Sequence, residues 1–204
     1  NVCLKDDQRY SSIVKLKGNE WLPVARGVRN SVGFDFHPTS GELYFGDNGR
    51  DWLGDDSPSC ELNRLEKEGT HFGFPYLHAS DVIDPEFGNI AHGYDIKLPI
   101  LELGAHVAPT GLAFYGHDKF GSEYTNNIFI ALHGSWNRSS KVGYKLVRVI
   151  LDSSGNALSM EDFVTGFLDN QTVLGRPSAP MIMQDGSLLL SDDKSNTIFR
   201  IVKK

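Results

Sequence analysis

The sequence predicts an all-β protein. Its 204 residues include 21 glycines and 12 phenylalanines, and the apolar runs are short and repeatedly interrupted by Gly, Asn, Asp or Pro. Strands bounded by turn residues give this pattern, whereas an amphipathic helix needs a periodicity of about 3.6 residues. No such helical run extends over three turns, and residues 160–163 are the one short segment that we expect to form a helical turn.

Composition and charge exclude two classes of partner. Hydrophobic residues make up 40% of the chain and charged residues 23%, which is typical of a globular domain. No stretch approaches the roughly 20 apolar residues that a membrane span requires. The formal net charge is -6 and no Lys/Arg-rich run is present, so we expect no nucleic-acid partner. A small-molecule ligand remains open.

Three segments of the chain share one layout. Each has an alternating strand, a turn, a second apolar strand that ends in polar residues, and then a further apolar strand. The three units comprise residues 32–36, 43–47 and 61–65, then residues 109–115, 127–133 and 144–151, and then residues 177–183, 187–192 and 197–202. Repeated units of several antiparallel strands are the signature of propeller blades.

About three blades are too few to close a ring, because propellers usually contain about 4 to 8. We therefore predict that residues 1–204 form a single partial β-propeller domain. Residues 74–103 lack regular periodicity and contain many His, Asp, Pro and Gly residues, so we expect an elaborated loop on one face.

The N-terminus and the two cysteines bear on the extent of the protein and on disulfide bonding. The chain begins at Asn1, without an initiating Met or the pattern of a signal peptide, so we expect it to belong to a longer protein. Cys3 and Cys60 are too few for a disulfide scaffold. They could pair with each other, Cys3 could pair with a cysteine upstream, or both could be free thiols, and the sequence leaves these alternatives open.

A loop after the first hairpin is rich in hard oxygen ligands. It contains a dense set of carboxylate and amide side chains, namely Asp47, Asn48, Asp51, Asp55, Asp56 and Glu61. Oxygen ligands of this kind suit calcium better than zinc. A solvated acidic loop is the alternative.

Six short motifs are ordered and spaced as in one known family. They are RNSVG at residues 29–33, DNGRD at 47–51, ELN at 61–63, FGFP at 72–75, HGSWNR at 133–138 and GRP at 175–177. The chain resembles the C-terminal half of the L-sorbosone dehydrogenase and soluble glucose (aldose sugar) dehydrogenase family. The resemblance implies a six-bladed β-propeller that oxidises sugars with pyrroloquinoline quinone and calcium, in the periplasm or outside the cell.

The resemblance implies a set of cofactor-binding residues. Arg29 and Arg176 match the arginines of the family, and Asn30 matches the amide beside the first of them. Pyrroloquinoline quinone carries three carboxylates and an ortho-quinone, which the planar fork of arginine can bind. Salt bridges between blades for the arginines, and a turn for Asn30, are the structural alternatives.

The resemblance also places His106 and the loop of residues 135–137 toward the cofactor or the substrate. Trp136 could stack on the quinone or on a sugar, or it could cap the loop. His133 could orient a substrate hydroxyl or make a structural hydrogen bond.

The implied calcium ligands are backbone groups and one side chain. In the family, carbonyls matching Gly49 and Arg50 bind the calcium that contacts the quinone, and Glu61 with the backbone of Phe72 implies a second, structural calcium. Glycine permits the backbone conformation that turns a carbonyl toward a metal. The chain departs from the soluble glucose enzyme at Arg50, where that enzyme has proline.

The function implied by the resemblance is sugar dehydrogenation, and one part of the machinery is missing. The catalytic base of the family is a histidine of the N-terminal half, and none of the seven histidines here matches it. We therefore assign no catalytic residue, and we expect the segment to be inactive alone and to form a homodimer that completes a ring. A non-catalytic binding module and a calcium-dependent lactonase-type hydrolase remain open. The sequence does not identify the sugar or the electron acceptor.

Overall fold

The computed structural model describes residues 2–5 and 7–203. Within these residues the chain forms eighteen strands and one short 3-10 helix, Ser122–Tyr124, and no helix is long and apolar enough to cross a membrane. The predicted all-β class is therefore confirmed. The predicted helical turn at residues 160–163 is wrong, because Met160 and its neighbours pair with an adjacent strand as part of Ala157–Val164.

The strands form three antiparallel sheets in chain order. The first sheet has the order β3 (Phe34–Phe36), β4 (Leu43–Asp47), β5 (Ser59–Leu65), β9 (Leu101–Ala105). The second has β10 (Pro109–Phe114), β11 (Ile128–Leu132), β12 (Lys145–Leu151), β13 (Ala157–Val164). The third has β16 (Pro177–Ile182), β17 (Leu188–Asp192), β18 (Thr197–Ile201). The three predicted strand units thus correspond to the three sheets, and the fourth strands β9 and β13 were not predicted.

Three smaller sheets complete the structure. The N-terminal sheet joins β1 (Ser12–Lys17) and β2 (Glu20–Arg26) to the parallel strand β6 (Thr70–His71). Two hairpins, β7 (Leu77–His78) with β8 (Val82–Ile83) and β14 (Leu168–Asp169) with β15 (Thr172–Val173), lie in connecting segments. The β7–β8 hairpin lies in the predicted elaborated loop.

The first strands of the three sheets run side by side and approach very closely at two glycines. A Cβ on Gly33, just before β3, would lie 2.6 Å from the carbonyl oxygen of Thr110 in β10. A Cβ on Gly111 in β10 would lie 2.4 Å from the carbonyl oxygen of Ser178 in β16. Only glycine fits at such separations, so the same contact recurs between successive sheets and sets their spacing.

The core consists of the layers between adjacent sheets. Strand β11 is buried on both faces, as its continuous apolar sequence IFIAL requires. Ile128 and Ile130 pack toward the first sheet, in a cluster with Leu62, whereas Phe129 packs toward the third sheet, in a cluster with Leu190. A third apolar cluster joins the N-terminal sheet to the first sheet. Burial of these faces is the main force that holds the sheets together.

The two cysteines are both free thiols in the described structure. Cys3 is exposed, and Cys60 is buried in the layer between the first and second sheets. Burial raises the pKa of the Cys60 thiol. The pairing of Cys3 with Cys60 that the sequence left open is therefore not formed.

Two buried tyrosines connect successive sheets by hydrogen bonds. The Tyr44 hydroxyl donates to the carbonyl oxygen of Gly155 at 2.9 Å, and the Tyr115 hydroxyl donates to that of Gly186 at 2.8 Å. Both tyrosines are fully buried. Each bond ties one sheet to a turn of the next sheet along the chain.

We predict that Tyr44→Phe and Tyr115→Phe each lower the free energy of unfolding by about 1–3 kcal/mol, because each leaves a buried carbonyl without its donor. Urea unfolding measures the change. Tyr10→Phe is the control, since Tyr10 is 61% exposed. Equal stability of the three variants would contradict the assignment.

Candidate functional site

Loops at one end of the first and second sheets enclose a polar cavity of about 110 Å³. The segments that precede β3 and follow β4, β9 and β11 all lie at this end, because alternate strands of an antiparallel sheet start and finish there. The residues that line the cavity are Arg29, Asn30, Asn48, Gly49, Asp51, Cys60, His106, Ala108 and Trp136. The cavity is smaller than the roughly 300–1,000 Å³ of a typical ligand site, so it can enclose part of a ligand.

The structure brings together four of the five residues predicted to bind the cofactor. Arg29, Asn30, His106 and Trp136 line the cavity, together with Gly49 from the predicted calcium site. Whether these residues bind a cofactor stays a prediction.

Arg29 is held firmly in the cavity wall. Its guanidinium donates to the carbonyl oxygens of Asn48 at 3.0 Å and Gly49 at 2.7 Å, and it forms an ion pair with Asp51 at 3.0 Å. The Gly49 carbonyl therefore faces a cation that belongs to the protein. A Cβ on Gly49 would lie 2.9 Å from the carbonyl oxygen of Ser59, so a larger residue would displace this wall.

His106 and Trp136 also line the cavity. His106 is buried, has a φ of 60°, and places Nε2 2.7 Å from the carbonyl oxygen of Gly54. Since a carbonyl only accepts, Nε2 carries the proton in this contact. Trp136 is 66% exposed and packs edge to face against Trp52, with ring centroids 5.7 Å apart. Trp52 was not predicted, because only the tertiary structure places it beside Trp136.

The acidic loop after β4 is tied to the second sheet. Arg138 donates to the carbonyl oxygen of Asp55 and forms an ion pair with Asp56 at 2.7 Å. The backbone N–H of Ser139 donates to the Asp55 carboxylate at 3.1 Å, and this bond lowers the pKa of Asp55. These two carboxylates therefore connect loops of neighbouring sheets.

Arg176 lies outside the cavity. It precedes β16 at the same end of the third sheet, and its guanidinium donates to the carbonyl oxygen of Gly134 at 3.1 Å. The guanidinium carbon also lies 5.8 Å from the ring centre of Tyr144. Nearby, His133 pairs with Asp193 at 2.9 Å. The structure thus separates Arg176 from the four predicted residues that share the cavity.

Two buried carboxyl groups lie directly opposite each other behind the cavity. Asp47 in β4 pairs in register with Glu61 in β5, and both are less than 10% exposed. The Asp47 carboxylate accepts backbone N–H groups from Arg29 at 2.8 Å and Asn30 at 2.6 Å. Burial raises the pKa of Asp47 to about 6, although these backbone donors oppose the shift.

Glu61 has a more strongly shifted pKa. Burial, with the Asp47 carboxylate as the next cause, raises it to about 8. Glu61 accepts from the backbone N–H of Ala79 at 2.7 Å and from the side-chain amide of Asn63 at 2.8 Å. The Asn63 Oδ1 atom is buried and makes no hydrogen bond within the described structure. Three oxygen-bearing side chains therefore lie in a buried setting. A cation there would relieve the repulsion between the two carboxyl groups and would give the unsatisfied acceptor a partner.

The other two predicted calcium residues lie in different surroundings. The Phe72 ring packs edge to face on Phe45 in the apolar cluster, and its backbone N–H donates to the carbonyl oxygen of Arg26. The Arg50 side chain pairs with the buried Asp84. Among the described residues, no group of three or more His, Cys, Asp and Glu side chains is positioned to hold a metal.

Repeated antiparallel sheets that carry a polar cavity at one end define an all-β domain whose site is built by the loops between sheets. The chain belongs to the TrAA12-like family, whose model matches residues 91–204, more than half of its length. Among curated proteins, it is 47% identical over 191 residues to an uncharacterized protein of Borreliella burgdorferi, covering 92% of the chain and 50% of that protein. The chain therefore spans about half the length of this relative.

Enzymes of known activity are also similar to parts of the chain. A 51-residue segment, 25% of the chain and 6% of the enzyme, is 45% identical to the pyrroloquinoline quinone-dependent pyranose dehydrogenase of Coprinopsis cinerea. The quinone domain of a Coprinopsis cinerea pyranose dehydrogenase, in its holo form, superposes with a TM-score of 0.69 at 21% identity, over 90% of the chain and 56% of that domain.

Two further solved structures share the fold. The calcium structure of a family AA12 carbohydrate-active enzyme of Trichoderma reesei has a TM-score of 0.70 at 24% identity, over 87% of the chain and 53% of that structure. The soluble aldose sugar dehydrogenase of Escherichia coli, in its apo form, has a TM-score of 0.60 at 20% identity, over 89% and 46%. The predicted similarity to quinone-dependent sugar dehydrogenase domains is confirmed, and the sorbosone dehydrogenase branch stays a prediction.

The buried Glu61 predicts an unusual pH dependence of stability. The folded chain keeps Glu61 protonated up to about pH 8, whereas the unfolded chain ionises it near the ordinary value of 4.5. The folded state then binds more protons, so the free energy of unfolding falls as pH rises toward 8. Asp47 contributes in the same direction only up to about pH 6.

His71 has the opposite effect at lower pH. Burial lowers its pKa from 6.5 to about 4, so its contribution to stability rises with pH until the unfolded histidine is deprotonated, about one unit above 6.5. Burial also lowers the pKa of His78, which therefore contributes in the same direction. Both histidines are unchanged in Glu61→Gln, so the difference in stability between the wild type and this variant isolates Glu61. In urea unfolding from pH 6.5 to 8 with a chelator present, the wild type and Glu20→Gln, an exposed control, should lose stability relative to Glu61→Gln. A pH dependence that is the same in the wild type and in Glu61→Gln would show that Glu61 is ionised.

Proposed function

We propose that this chain is the cofactor-binding half of a sugar dehydrogenase that uses pyrroloquinoline quinone and calcium and acts on sorbosone or an aldose. The observation that carries the proposal is the cavity that Arg29, Asn30, Gly49, His106 and Trp136 line together. On this proposal the three sheets are about three blades of a six-bladed propeller. The complete protein acts in the periplasm or outside the cell.

The cavity residues fit one end of an anionic, planar cofactor. Arg29 supplies a positive charge at the wall, the Asn30 and Asn48 side chains offer amide groups, and Trp136 offers a flat exposed face. A carboxylate of the cofactor would take the place that Asp51 now holds beside Arg29. Arg176 lies off the cavity, so it would contact a part of the cofactor that extends toward the third sheet.

The oxygen groups fit calcium at two places. The Gly49 carbonyl could bind the cofactor's calcium once Arg29 releases it, and the Arg50 carbonyl follows it in the chain. Glu61, Asp47 and the unsatisfied Asn63 Oδ1 form the stronger set, because carboxylate and amide oxygens are ligands that calcium prefers. Phe72 would contribute a backbone carbonyl only.

Bound quinone would supply the hydride acceptor, and bound calcium would act as a Lewis acid. The chain's own contribution is binding and electrostatics. Arg29 would stabilise negative charge at the cofactor, and the Trp52–Trp136 pair would cover the mouth of the cavity from solvent. His106 donates to Gly54 and His133 pairs with Asp193, so both histidines already have structural partners. This supports the view that the base comes from another part of the complete protein.

The alternatives differ in what they require. A lactonase-type hydrolase needs several acidic side chains around one central metal, and the described residues contain no group of three or more His, Cys, Asp and Glu side chains that could hold one. A non-catalytic binding module needs no cofactor affinity. Titration with the quinone separates the binding module from the dehydrogenase.

We predict that the chain binds pyrroloquinoline quinone saturably, with a calcium-dependent absorbance change. Arg29→Met should raise the Kd about tenfold to a hundredfold, as expected for loss of a charge-assisted hydrogen bond. Quinone should quench tryptophan fluorescence in Trp21→Phe and much less in Trp136→Phe, because Trp21 lies in β2 away from the cavity lining.

Absence of saturable binding would instead support the binding module. Sugar oxidation by the isolated chain, with quinone and calcium added, would overturn the assignment of the base to another part of the protein.

We also propose that two copies associate into a pseudo-ring. Strand β18 ends the third sheet with one edge that pairs with no other strand of the described structure, and Ile198 is 69% exposed on it. Such edges favour pairing with another chain. Sedimentation at tens of micromolar should show a dimer that Ile198→Lys weakens, and a monodisperse wild-type monomer would contradict the proposal.

A further inference from the structure

Arg50 has a position unlike that of its neighbours. Gly49 and Asp51 line the cavity, but the Arg50 side chain does not. Instead its guanidinium donates to the carboxylate of Asp84, just after the β7–β8 hairpin, and lies 3.8 Å from Glu86. The segment of residues 49–51 is therefore held from two sides, by Arg29 at the cavity and by Asp84 behind it.

Asp84 is buried and held in place by hydrogen bonds to both of its carboxylate oxygens. It is 1% exposed, and its Oδ1 atom accepts the backbone N–H groups of Glu86 and Phe87, both at 2.8 Å. Its Oδ2 atom lies 2.7 Å from Nε2 of the buried His78 and also accepts from Arg50. Burial alone would raise the pKa of Asp84, but hydrogen bonds from His78 and Arg50 outweigh it and lower the pKa to about 2. The carboxylate is therefore ionised and fully hydrogen-bonded.

The hairpin that carries His78 is attached to the first sheet independently of Arg50. The backbone N–H of Ala79 donates to the buried Glu61 at 2.7 Å, and that of Ser80 donates to Glu102 at 3.2 Å. Behind Asp84 the chain is closely packed, since a Cβ on Gly88 would lie 2.6 Å from the Asp84 carbonyl oxygen. Asp84 can therefore orient Arg50 without depending on it for its own position.

We propose that Asp84, oriented by His78, is a positioning residue that acts through Arg50 to hold residues 49–51 in the conformation that lines the cofactor cavity. The inference rests on the proposed function, because it assigns to Asp84 the task of shaping that cavity. The physical reason is that a three-residue segment fixed by charged side chains on both faces loses most of its freedom before a ligand arrives. Without Asp84 only the Arg29 side would remain.

Hydrogen exchange measured by NMR on the chain without cofactor tests the inference directly. In Asp84→Asn, the amides of Gly49, Arg50 and Asp51 should exchange about tenfold or more faster than in the wild type, as loss of a charge-assisted bond predicts. The amides of β11 should not change. Asp81→Asn is the matched control, because Asp81 lies exposed in the same hairpin.

A double-mutant cycle with Arg50→Met shows whether Asp84 acts through Arg50. If it does, Arg50→Met alone should give the same local exchange, and Asp84→Asn should add nothing to it. Arg50 is partly exposed, so Arg50→Met should fold. It therefore also tests the effect on local exchange if Asp84→Asn does not fold. Additive effects, unchanged exchange at residues 49–51, or equal acceleration in β11 would each overturn the inference.

Quinone titration of the same variants gives a second measurement. Asp84→Asn and Arg50→Met should each raise the Kd for pyrroloquinoline quinone about tenfold, and Asp81→Asn should not. If the wild-type chain binds no quinone, the proposed function fails, and the exchange measurement alone decides the role of Asp84. If the wild type binds and the variants bind equally well, the positioning role is wrong.

Discussion

The buried carboxylate of Asp47 is the interaction on which the candidate site depends. It accepts the backbone N–H groups of Arg29 and Asn30, so it fixes the segment that brings the Arg29 guanidinium to the cavity. Hydrogen bonds to a charged acceptor of this kind contribute about 1.5–3 kcal/mol each. The β4–β5 pairing in turn places Asp47 against Glu61. Ionising both acids in this buried layer is therefore unfavourable unless a cation compensates the charge, so the residue that shapes the cavity wall also sets the electrostatics of the layer behind it.

Sequence patterns predicted the parts of the fold that depend on local chemistry. Alternating apolar residues flanked by Gly and Pro located the three sheets, because period-two patterns and turn residues act over a few neighbouring positions. Strand β13 was not predicted, since three of the eight residues in its sequence ALSMEDFV are polar and it becomes a strand by pairing with β12. Residues 160–163 were misassigned for the same reason. The N-terminal hairpin of β1 and β2 was missed as well, and its burial comes from packing on the first sheet.

Local sequence patterns also predicted some of the site residues, whereas the residues that were missed depend on tertiary contacts. Arg29, Asn30 and Trp136 belong to motifs that the sequence displays, and the family resemblance that those motifs carry indicated His106. All four residues meet in one cavity. Trp52, His78 and Asp84 belong to no such motif, and their importance comes from contacts between segments distant in the chain. An aspartate in a segment rich in polar residues gives no sign that it will be 1% exposed and bonded to an arginine 34 positions earlier. Local sequence does not encode which loop will cover another.

Arg29 and a metal ion would compete for the same atom, the carbonyl oxygen of Gly49. In the present conformation the Gly49 carbonyl accepts from the Arg29 guanidinium, while Asp51 balances the charge of that guanidinium. A calcium ion at Gly49 would place a second cation beside Arg29, which is unfavourable unless an anion enters with it. An anionic cofactor would satisfy this condition, because its carboxylate could bind Arg29 and its negative charge would offset that of the metal. On the proposed function, metal and anion would therefore bind together more favourably than either alone, and a conformation of residues 49–51 fixed from behind by Asp84 would keep the carbonyl in place while Arg29 changes partners.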